Sequence, residues 1–287
     1  MAQLTPRSLV EDSIELFSLP DIYFQINEMI NDPKFSIEEI GRVVSKDPAL
    51  SARLLKVVNS PFYGFQAKID TVSRAVVVVG LGELKNLVLA TTVVDNFRHI
   101  PAELVDMTAF WMRSVHCGVV CKLLAKASAV LHCERLFLTG LLHNIGSLVL
   151  YQQMPKESLN VLLAAGNDRS KVAGLEQEII GFNHAEVGSE LIKAWGLPES
   201  LSEAIGCYLD PQLAQVHRLD AYLLSLAVRL VDAAEYSESP EVTAANFKGR
   251  GLSMMRLSEE QIVSVAEQAA DEFSQVFELV SPNKKFH

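Results

Sequence analysis

The chain has 287 residues, 49% of them apolar and 21% charged, so it can bury a sizeable core and is too apolar for a disordered protein. Its formal net charge of −10 argues against a nucleic-acid partner, because phosphate binding requires clustered Lys and Arg. The four cysteines form no CxxC pair, and neither a signal peptide nor a membrane-spanning apolar stretch is present. We therefore predict a reduced, cytoplasmic protein that does not enter a membrane.

Start and stop signals divide the first sixty residues into three predicted helices. The first ends at Asp32-Pro33, and the second follows the capping box Ser36-x-x-Glu39. The third begins at Asp47-Pro48 and ends at Asn59-Ser60. Asp and Asn are common helix caps, so we interpret these polar residues as structural rather than as ligands.

The segment from Ala75 to Gly82 looks like a strand that leads into a phosphate-binding loop. A dinucleotide fingerprint requires a third glycine, however, and Lys85 stands in its place. Apolar residues recur instead at helical spacing through Val72, Val76 and Val79. The pattern predicts a helix here and argues against a nucleotide site.

Longer helices are predicted in the second half of the chain, separated by Pro, Gly and polar residues. Tyr236 begins a polar stretch, up to residue 250, that predicts a loop. Two predicted helices span 108–127 and 136–151, and Pro155 ends the second of them. Two more begin near Gly174 and at His184, and Leu197-Pro198 breaks the latter. A fifth spans 221–234 and should be buried.

The last predicted helix begins with a second capping box, Ser258-x-x-Gln261. Its apolar residues recur at alternating steps of 4 and 3, which gives a narrow stripe of coiled-coil type. Packing within its own domain is the favoured interpretation, and a homodimer through residues 258–280 is the other.

The aromatic loop at residues 62–65 predicts either a partner-binding surface or a buried plug.

The most distinctive segment is Leu141-Leu142-His143-Asn144-Ile145-Gly146. It resembles the Leu-Leu-His-Asp-Ile-Gly signature of the HD superfamily of metal-dependent phosphohydrolases. Four further blocks, at residues 47–60, 69–80, 181–188 and 195–198, resemble in order the HD-related output domain, HDOD. The resemblance covers residues 19–211 and is far more specific than one motif.

This resemblance implies an all-α bacterial module, with an N-terminal helical sub-bundle packed on an HD-like sub-bundle. It also implies a role in signal transduction. No catalytic activity is generally established for HDOD domains. We accordingly predict an N-terminal extension at 1–18, the HDOD domain at 19–215, and C-terminal helices at 216–287 that pack on or extend it.

The resemblance also places the residues of a vestigial metal site. Arg113 aligns with the first His ligand, His143 and Asn144 with the His-Asp pair, and Val228 with the last Asp. His184 keeps one additional His, while Tyr208-Leu209 replaces a His-His pair. An Arg is a cation and Val has no donor atom. We therefore predict no metal and no cofactor, because a divalent ion in this cavity would meet no carboxylate.

A different metal site is conceivable on the helix that carries Arg113. His116, Cys117, Cys121 and Cys133 offer zinc-binding atoms, but their spacing fits none of the usual structural-zinc patterns. Buried cysteines that pack as small hydrophobic residues are the favoured interpretation.

Three functions remain open from the sequence. We favour a non-catalytic regulatory module that binds an unidentified signalling protein. The first alternative is a metal-dependent phosphohydrolase that acts on nucleotides or phosphodiesters. The second is a receptor for a small nucleotide or anion in the old cavity, with Arg113, His143 and His184 as the ligand-binding candidates.

Overall fold

The computed structural model describes residues 4–17, 19–60, 63, 65, 67–93, 97, 100–101, 103–247 and 250–280. Over these residues all regular secondary structure is helical, which confirms the predicted all-α class. The helices, numbered in chain order, are α1 Pro6–Glu11, α2 Asp21–Asn31, α3 Ile37–Ser45, α4 Pro48–Val58, α5 Val72–Val79, α6 Leu81–Thr92, α7 Met107–Ala127, α8 Glu134–Leu142, α9 Ile145–Gln153, α10 Pro155–Ala165, α11 Val172–Ile179, α12 His184–Ala194, α13 Glu199–Cys207, α14 Arg218–Glu235, α15 Pro240–Asn246, α16 Arg250–Met255 and α17 Glu259–Val280.

The chain divides into two compact units. The first unit comprises Met1–Phe17 and Phe97–Glu267, and the second comprises Ser18–Asn96 and Gln268–His287. The domain boundaries predicted after residues 18 and 215 stay predictions, since compactness alone does not define a domain that folds by itself.

Local capping explains where the helices of the second unit begin. The Ser36 hydroxyl accepts from the Glu39 amide at 3.2 Å, and the Glu39 carboxylate accepts from the Ser36 amide at 2.8 Å, as the capping box predicts. The Asp47 carboxylate accepts from two amides of α4, both at 2.9 Å. Asn59 is bonded through its side chain to both backbone groups of Ile69. Asp47 and Asn59 therefore have the structural roles predicted for them.

The glycine-rich segment is helical on both sides of Gly80, so the strand interpretation is excluded. Gly80 ends α5 with φ +84, a left-handed conformation that glycine adopts without strain. Where the chain is described, no single helix is long and apolar enough to cross a membrane. The pair α5 and α6 meets the length and hydropathy requirements only when taken together, and it bends by 118°.

The first unit is built around α7, whose residues between Phe110 and Ala125 are mostly buried. Helix α7 packs against α8 and α14, while α12 packs against α9, α13 and the N-terminal helix α1. The Trp195 indole N–H donates to the Phe17 carbonyl at 2.7 Å and so ties the N-terminal segment to the end of α12.

Two predictions about helix boundaries are wrong, and one is incomplete. The single helix at 136–151 is two helices, α8 and α9, interrupted at His143 and Asn144. Pro155 follows the end of the preceding helix, as predicted, and it also begins α10. Proline is tolerated at the first helical position because the amide hydrogen that it lacks would have no partner there. The predicted loop at 236–250 contains α15, which begins at Pro240 for the same reason.

The C-terminal helix α17 begins with the predicted capping box. The Ser258 amide donates to the Gln261 side-chain oxygen at 2.9 Å, and the Gln261 amide donates back to the Ser258 hydroxyl at 3.3 Å. Within one chain, Ile262, Ala269 and Val276 of the apolar stripe are buried. The homodimer through residues 258–280 stays a prediction. Of the aromatic loop, Phe62 and Gly64 lie outside the described residues.

Candidate functional site

A cavity in the first unit brings together all five residues that the sequence singled out. Its volume is about 990 Å³, and Arg113, His143, Asn144, His184 and Val228 all line it. Residues that are up to 115 positions apart along the chain therefore share one site (228 − 113 = 115). Their functional roles stay predictions.

The helix crossing that forms this cavity depends on a glycine. His143 and Asn144 lie at the break between α8 and α9, and His184 is the first residue of α12. Gly146 lies against the start of α12, so closely that a Cβ there would overlap the carbonyl oxygen of His184 and the amide nitrogen of Gly188. The glycine of the motif thus lets the two histidine-bearing segments approach each other.

Arg113 is buried and paired with two carboxylates of α14. Its side chain is 7% exposed, and its Nη1 atom lies 2.7 Å from Asp232 Oδ1 and 3.2 Å from Glu235 Oε2. Burial by itself lowers the pKa of Arg113, but the nearby Cys117, Asp232 and Glu235 side chains raise it, and the net pKa is raised. A permanent positive charge therefore occupies this side of the cavity.

His143 is buried and neutral. Its Nδ1 atom lies 2.7 Å from the Gly140 carbonyl oxygen, which can only accept, so Nδ1 carries the proton and Nε2 keeps the lone pair. Burial and the nearby Arg113 charge lower the pKa of His143 to about 3. The ring is also in edge contact with Tyr208, at 5.7 Å between centroids.

His184 has partners for both ring nitrogens. Its Nδ1 lies 2.5 Å from the Glu176 carboxylate, which also accepts from the His184 amide at 2.9 Å. Its Nε2 lies 2.7 Å from the Tyr208 hydroxyl. Glu176 and Tyr208 are themselves buried, and burial raises the pKa of Tyr208. In this arrangement His184 has no lone pair directed at a ligand.

The two remaining predicted positions offer little to a metal ion. The side-chain oxygen of Asn144 accepts from the Ser147 hydroxyl at 2.7 Å. Val228 is partly buried and contributes only methyl groups to the lining. The Arg113 guanidinium is paired with the carboxylates of Asp232 and Glu235 instead of with Asn144.

The expectation that the cavity holds no carboxylate is wrong. Asp232 and Glu235 line it, and Glu176 is bonded to His184 at its edge. The sequence contained a signal that could have located Asp232, because it follows Val228 by four residues, which is one helical turn. That both carboxylates face Arg113 depends on the packing of α14 against α7.

The cysteines do not form a second metal site. Within the described part of the chain, no group of three or more His, Cys, Asp and Glu side chains is placed to hold a metal ion. Cys117 and Cys121 are fully buried, and burial raises the pKa of Cys117 to about 12. These two residues therefore pack as small apolar side chains.

The family match agrees with this geometry. The profile of the HDOD domain matches residues 16–211, which is more than half of the chain. This chain belongs to the HDOD family. The matched region includes Arg113, His143, Asn144 and His184 and ends before Val228 and the two carboxylates of α14.

Solved HDOD-like structures have the same fold. A protein from Shewanella amazonensis named "Putative phosphohydrolase" aligns with TM-score 0.74 and 25% identity, over 95% of this chain and 97% of that one. An HDOD domain protein of unknown function from Geobacter sulfurreducens aligns with TM-score 0.76 and 20% identity, over 96% and 98%. An uncharacterized protein of Treponema pallidum is 28% identical over 200 residues, 69% of this chain, and the match spans only 38% of that relative's length.

The HD relatives of this family bind divalent metal ions, and the residues of this HDOD cavity do not fit one. The site combines one free imidazole lone pair, on His143, with the fixed cation Arg113. Asp232 and Glu235 are already engaged by that cation, and Asn144 by Ser147. A divalent ion would have to displace a buried guanidinium, which cannot lose its proton.

Acid should destabilise this HDOD protein through His143. Its folded-state pKa of about 3 lies below the ordinary value of 6.5, so the unfolded chain binds the proton more readily. Its stabilising contribution is therefore complete above pH 6.5 and decreases by about 1.4 kcal/mol per pH unit as the pH falls towards 3. Urea unfolding of the wild type and of His143→Leu between pH 7 and 4 should show this difference in slope. Parallel slopes would contradict it.

Proposed function

We propose that this HDOD protein is a non-catalytic signal-transduction module that acts through protein–protein interaction. The observation that carries the proposal is the buried Arg113, paired with Asp232 and Glu235, at the position that the resemblance aligns with the first His ligand of an HD enzyme. HD-type hydrolysis depends on a metal that lowers the pKa of bound water. A guanidinium has no lone pair and no open coordination position with which to activate water.

The other groups of the cavity do not replace that chemistry. Glu176 could act as a base, but it already accepts from both the amide and the ring of His184. His143 is neutral and has a lone pair, but no acid or nucleophile among the described residues is bonded to its Nε2. An imidazole can take a proton from a substrate, but it cannot supply the charge stabilisation that a bound metal ion gives.

The competing function is a metal-dependent phosphohydrolase, which the name of the Shewanella amazonensis protein favours. We expect the purified full-length chain to contain less than about 0.1 equivalent of Mn, Fe, Co or Zn, as metal that fits no site is lost on dialysis. We also expect no hydrolysis of bis(p-nitrophenyl) phosphate or nucleotides above a buffer blank, with or without added Mn²⁺. Stoichiometric metal together with turnover that EDTA abolishes would refute the non-catalytic proposal.

A receptor for a small nucleotide or anion is the second candidate, and the cavity of about 990 Å³ favours it. The charges do not, because Arg113 is already neutralised by carboxylates. A thermal-shift screen with nucleotides distinguishes the two functions. A ligand present at one hundred times its Kd should stabilise the protein by about 2.7 kcal/mol, whereas the protein-interaction proposal expects no shift.

The positive test of the proposal is reconstitution of a complex. A candidate partner found by cross-linking in the source cells should bind the purified chain with a defined stoichiometry and a Kd in the micromolar range or below. Sedimentation of the chain alone would show in the same experiment whether the predicted homodimer exists. A partner that binds only when nucleotide or metal is added would favour one of the other two functions.

A further inference from the structure

Size and lining make the cavity of the first unit suitable for a small organic molecule. Its volume of about 990 Å³ lies at the upper end of the range, roughly 300–1,000 Å³, that is usual for small-molecule sites. The buried rings of Phe110, Tyr151 and Tyr208 line it, together with the aliphatic side chains of Leu162 and Val228. Such walls favour a ligand that is largely apolar and aromatic.

The buried charge of the cavity is balanced by the protein itself. The Glu235 oxygen that lies 3.2 Å from Arg113 Nη1 also lies 3.3 Å from Nε of Arg169, and Asp232 is the second carboxylate of Arg113. Two positive and two negative side chains thus form one network, whose formal charges cancel. An anionic or cationic ligand would have to compete with these internal counter-ions and lose its own hydration, whereas a neutral ligand meets neither cost.

Three other charged residues line the cavity, and each is engaged or solvated. The Asp106 carboxylate is the N-cap of α7 and accepts from the Thr108 amide at 2.7 Å. The Arg229 guanidinium lies over the Phe247 ring, 5.2 Å from its centroid. Glu238 is exposed to solvent. These charges therefore do not call for an ionic ligand.

Two buried polar groups of the cavity wall, in contrast, have no hydrogen-bond partner in the described part of the chain. One is Nε2 of His143, whose ring is only 1% exposed and whose lone pair is free because Nδ1 holds the proton. The other is the hydroxyl of Ser225 on α14, a residue that is 3% exposed. Buried polar groups are nearly always hydrogen-bonded, so these two indicate a partner from outside the protein.

We propose that the cavity binds an uncharged aromatic molecule that donates one hydrogen bond, from an N–H or O–H group, to Nε2 of His143. In this tautomer Nε2 accepts and cannot donate, so the site discriminates against molecules of the same shape that lack a donor. The Ser225 hydroxyl can donate or accept and therefore fits a second polar group of either type. The proposal goes beyond the protein-interaction function and does not rest on it, since binding of a ligand and binding of a protein are measured separately.

A matched series of small probes tests the ligand class. We expect indole to bind the full-length chain with a Kd of about 1 mM or below, as suits a molecule of its size. 1-Methylindole has the same ring without a donor and should bind about tenfold more weakly, because the buried acceptor is left unpaired. Calorimetric titration measures both. Equal affinities for the two probes, or no binding of indole, would overturn the proposal.

Charged analogues of the same ring test the requirement for neutrality. At neutral pH indole-3-carboxylate carries a negative charge and tryptamine a positive one. Both should bind more weakly than indole, because the cavity offers neither of them an unpaired buried charge of opposite sign. An affinity of either analogue above that of indole would contradict the proposed class.

The hydrogen bond itself is observable in the His143 ring. With ¹⁵N-labelled histidine, we expect saturating indole to shift the Nε2 resonance of His143 upfield, as acceptance of a hydrogen bond by the lone pair does, and 1-methylindole to shift it much less. This comparison needs no substitution that impairs folding. An Nε2 resonance that responds equally to both probes would show that His143 does not accept from the ligand.

A pair of variants assigns the probe to this cavity. Val228 lines it, so Val228→Phe fills part of the space and should weaken indole binding by about tenfold. The matched control is Val216→Phe, because Val216 is 71% exposed and is not part of the cavity wall. That control should bind indole as the wild type does. Indole binding that survives Val228→Phe, or that both variants lose equally, would overturn the assignment to this cavity.

Discussion

Replacement of Gly146 by alanine is expected to prevent the first unit from folding stably. The added methyl group would overlap the His184 carbonyl oxygen and the Gly188 amide nitrogen, which are backbone atoms at the crossing of α9 and α12. Backbone atoms cannot rotate away as a flexible side chain can, so the two helices would have to separate. We expect a loss of more than about 4 kcal/mol in the free energy of unfolding, measured by urea titration of tryptophan fluorescence.

Gly174→Ala is the matched control for this prediction. Gly174 lies on α11, is exposed, and has nothing within 4 Å of the position its Cβ would take. Alanine favours helices more than glycine does, so this substitution should be neutral or stabilise the protein by up to about 1 kcal/mol. A Gly146→Ala protein as stable as Gly174→Ala would contradict the close crossing of α9 and α12.

Glu176→Ala should also strongly destabilise the protein. The Glu176 side chain is buried, and it accepts from both the amide and the ring Nδ1 of His184. Alanine would leave two buried donors without partners and a cavity beside them. We expect a loss of about 3–5 kcal/mol in the free energy of unfolding. NMR of the His184 ring should show in addition that its orientation changes, because only the bond to Tyr208 remains.

Glu186, a second carboxylate at the start of α12, provides the comparison for Glu176→Ala. Glu186 accepts from the Asn183 amide at 2.8 Å as part of the capping box of α12, and it is more exposed than Glu176. Since water can replace this bond, Glu186→Ala should cost about 1 kcal/mol. Equal losses for the two variants would show that Glu176 acts only as a cap.

Signals of short range along the chain predicted much of the fold. The capping boxes at Ser36 and Ser258 and the start at Asp47 were found from spacing alone, because the bonding groups lie within three residues of each other. Such signals were insufficient at His143. There apolar residues stand on both sides of the break, at Leu141, Leu142 and Ile145, so the periodicity predicted one continuous helix.

The residues of the candidate site were likewise predicted only in part from the sequence. The motif at His143 and the isolated His184 were found from sequence, and the structure places them in one cavity. Asp232, Glu235 and Glu176 were missed as site residues, since each is an ordinary acidic residue on a helix in the sequence. Apart from the spacing of Asp232 from Val228, only their position relative to Arg113 and His184 distinguishes them, and helix packing sets that position.

The sequence by itself determined the helical class and most helix starts. These properties follow from residue type and from contacts within one or two helical turns. Only the tertiary structure decided which groups lie against Arg113. A Coulomb interaction depends on the distance between charges in space. Arg113 and its two carboxylates are more than one hundred residues apart in the chain, but α7 and α14, which carry them, are adjacent in the fold.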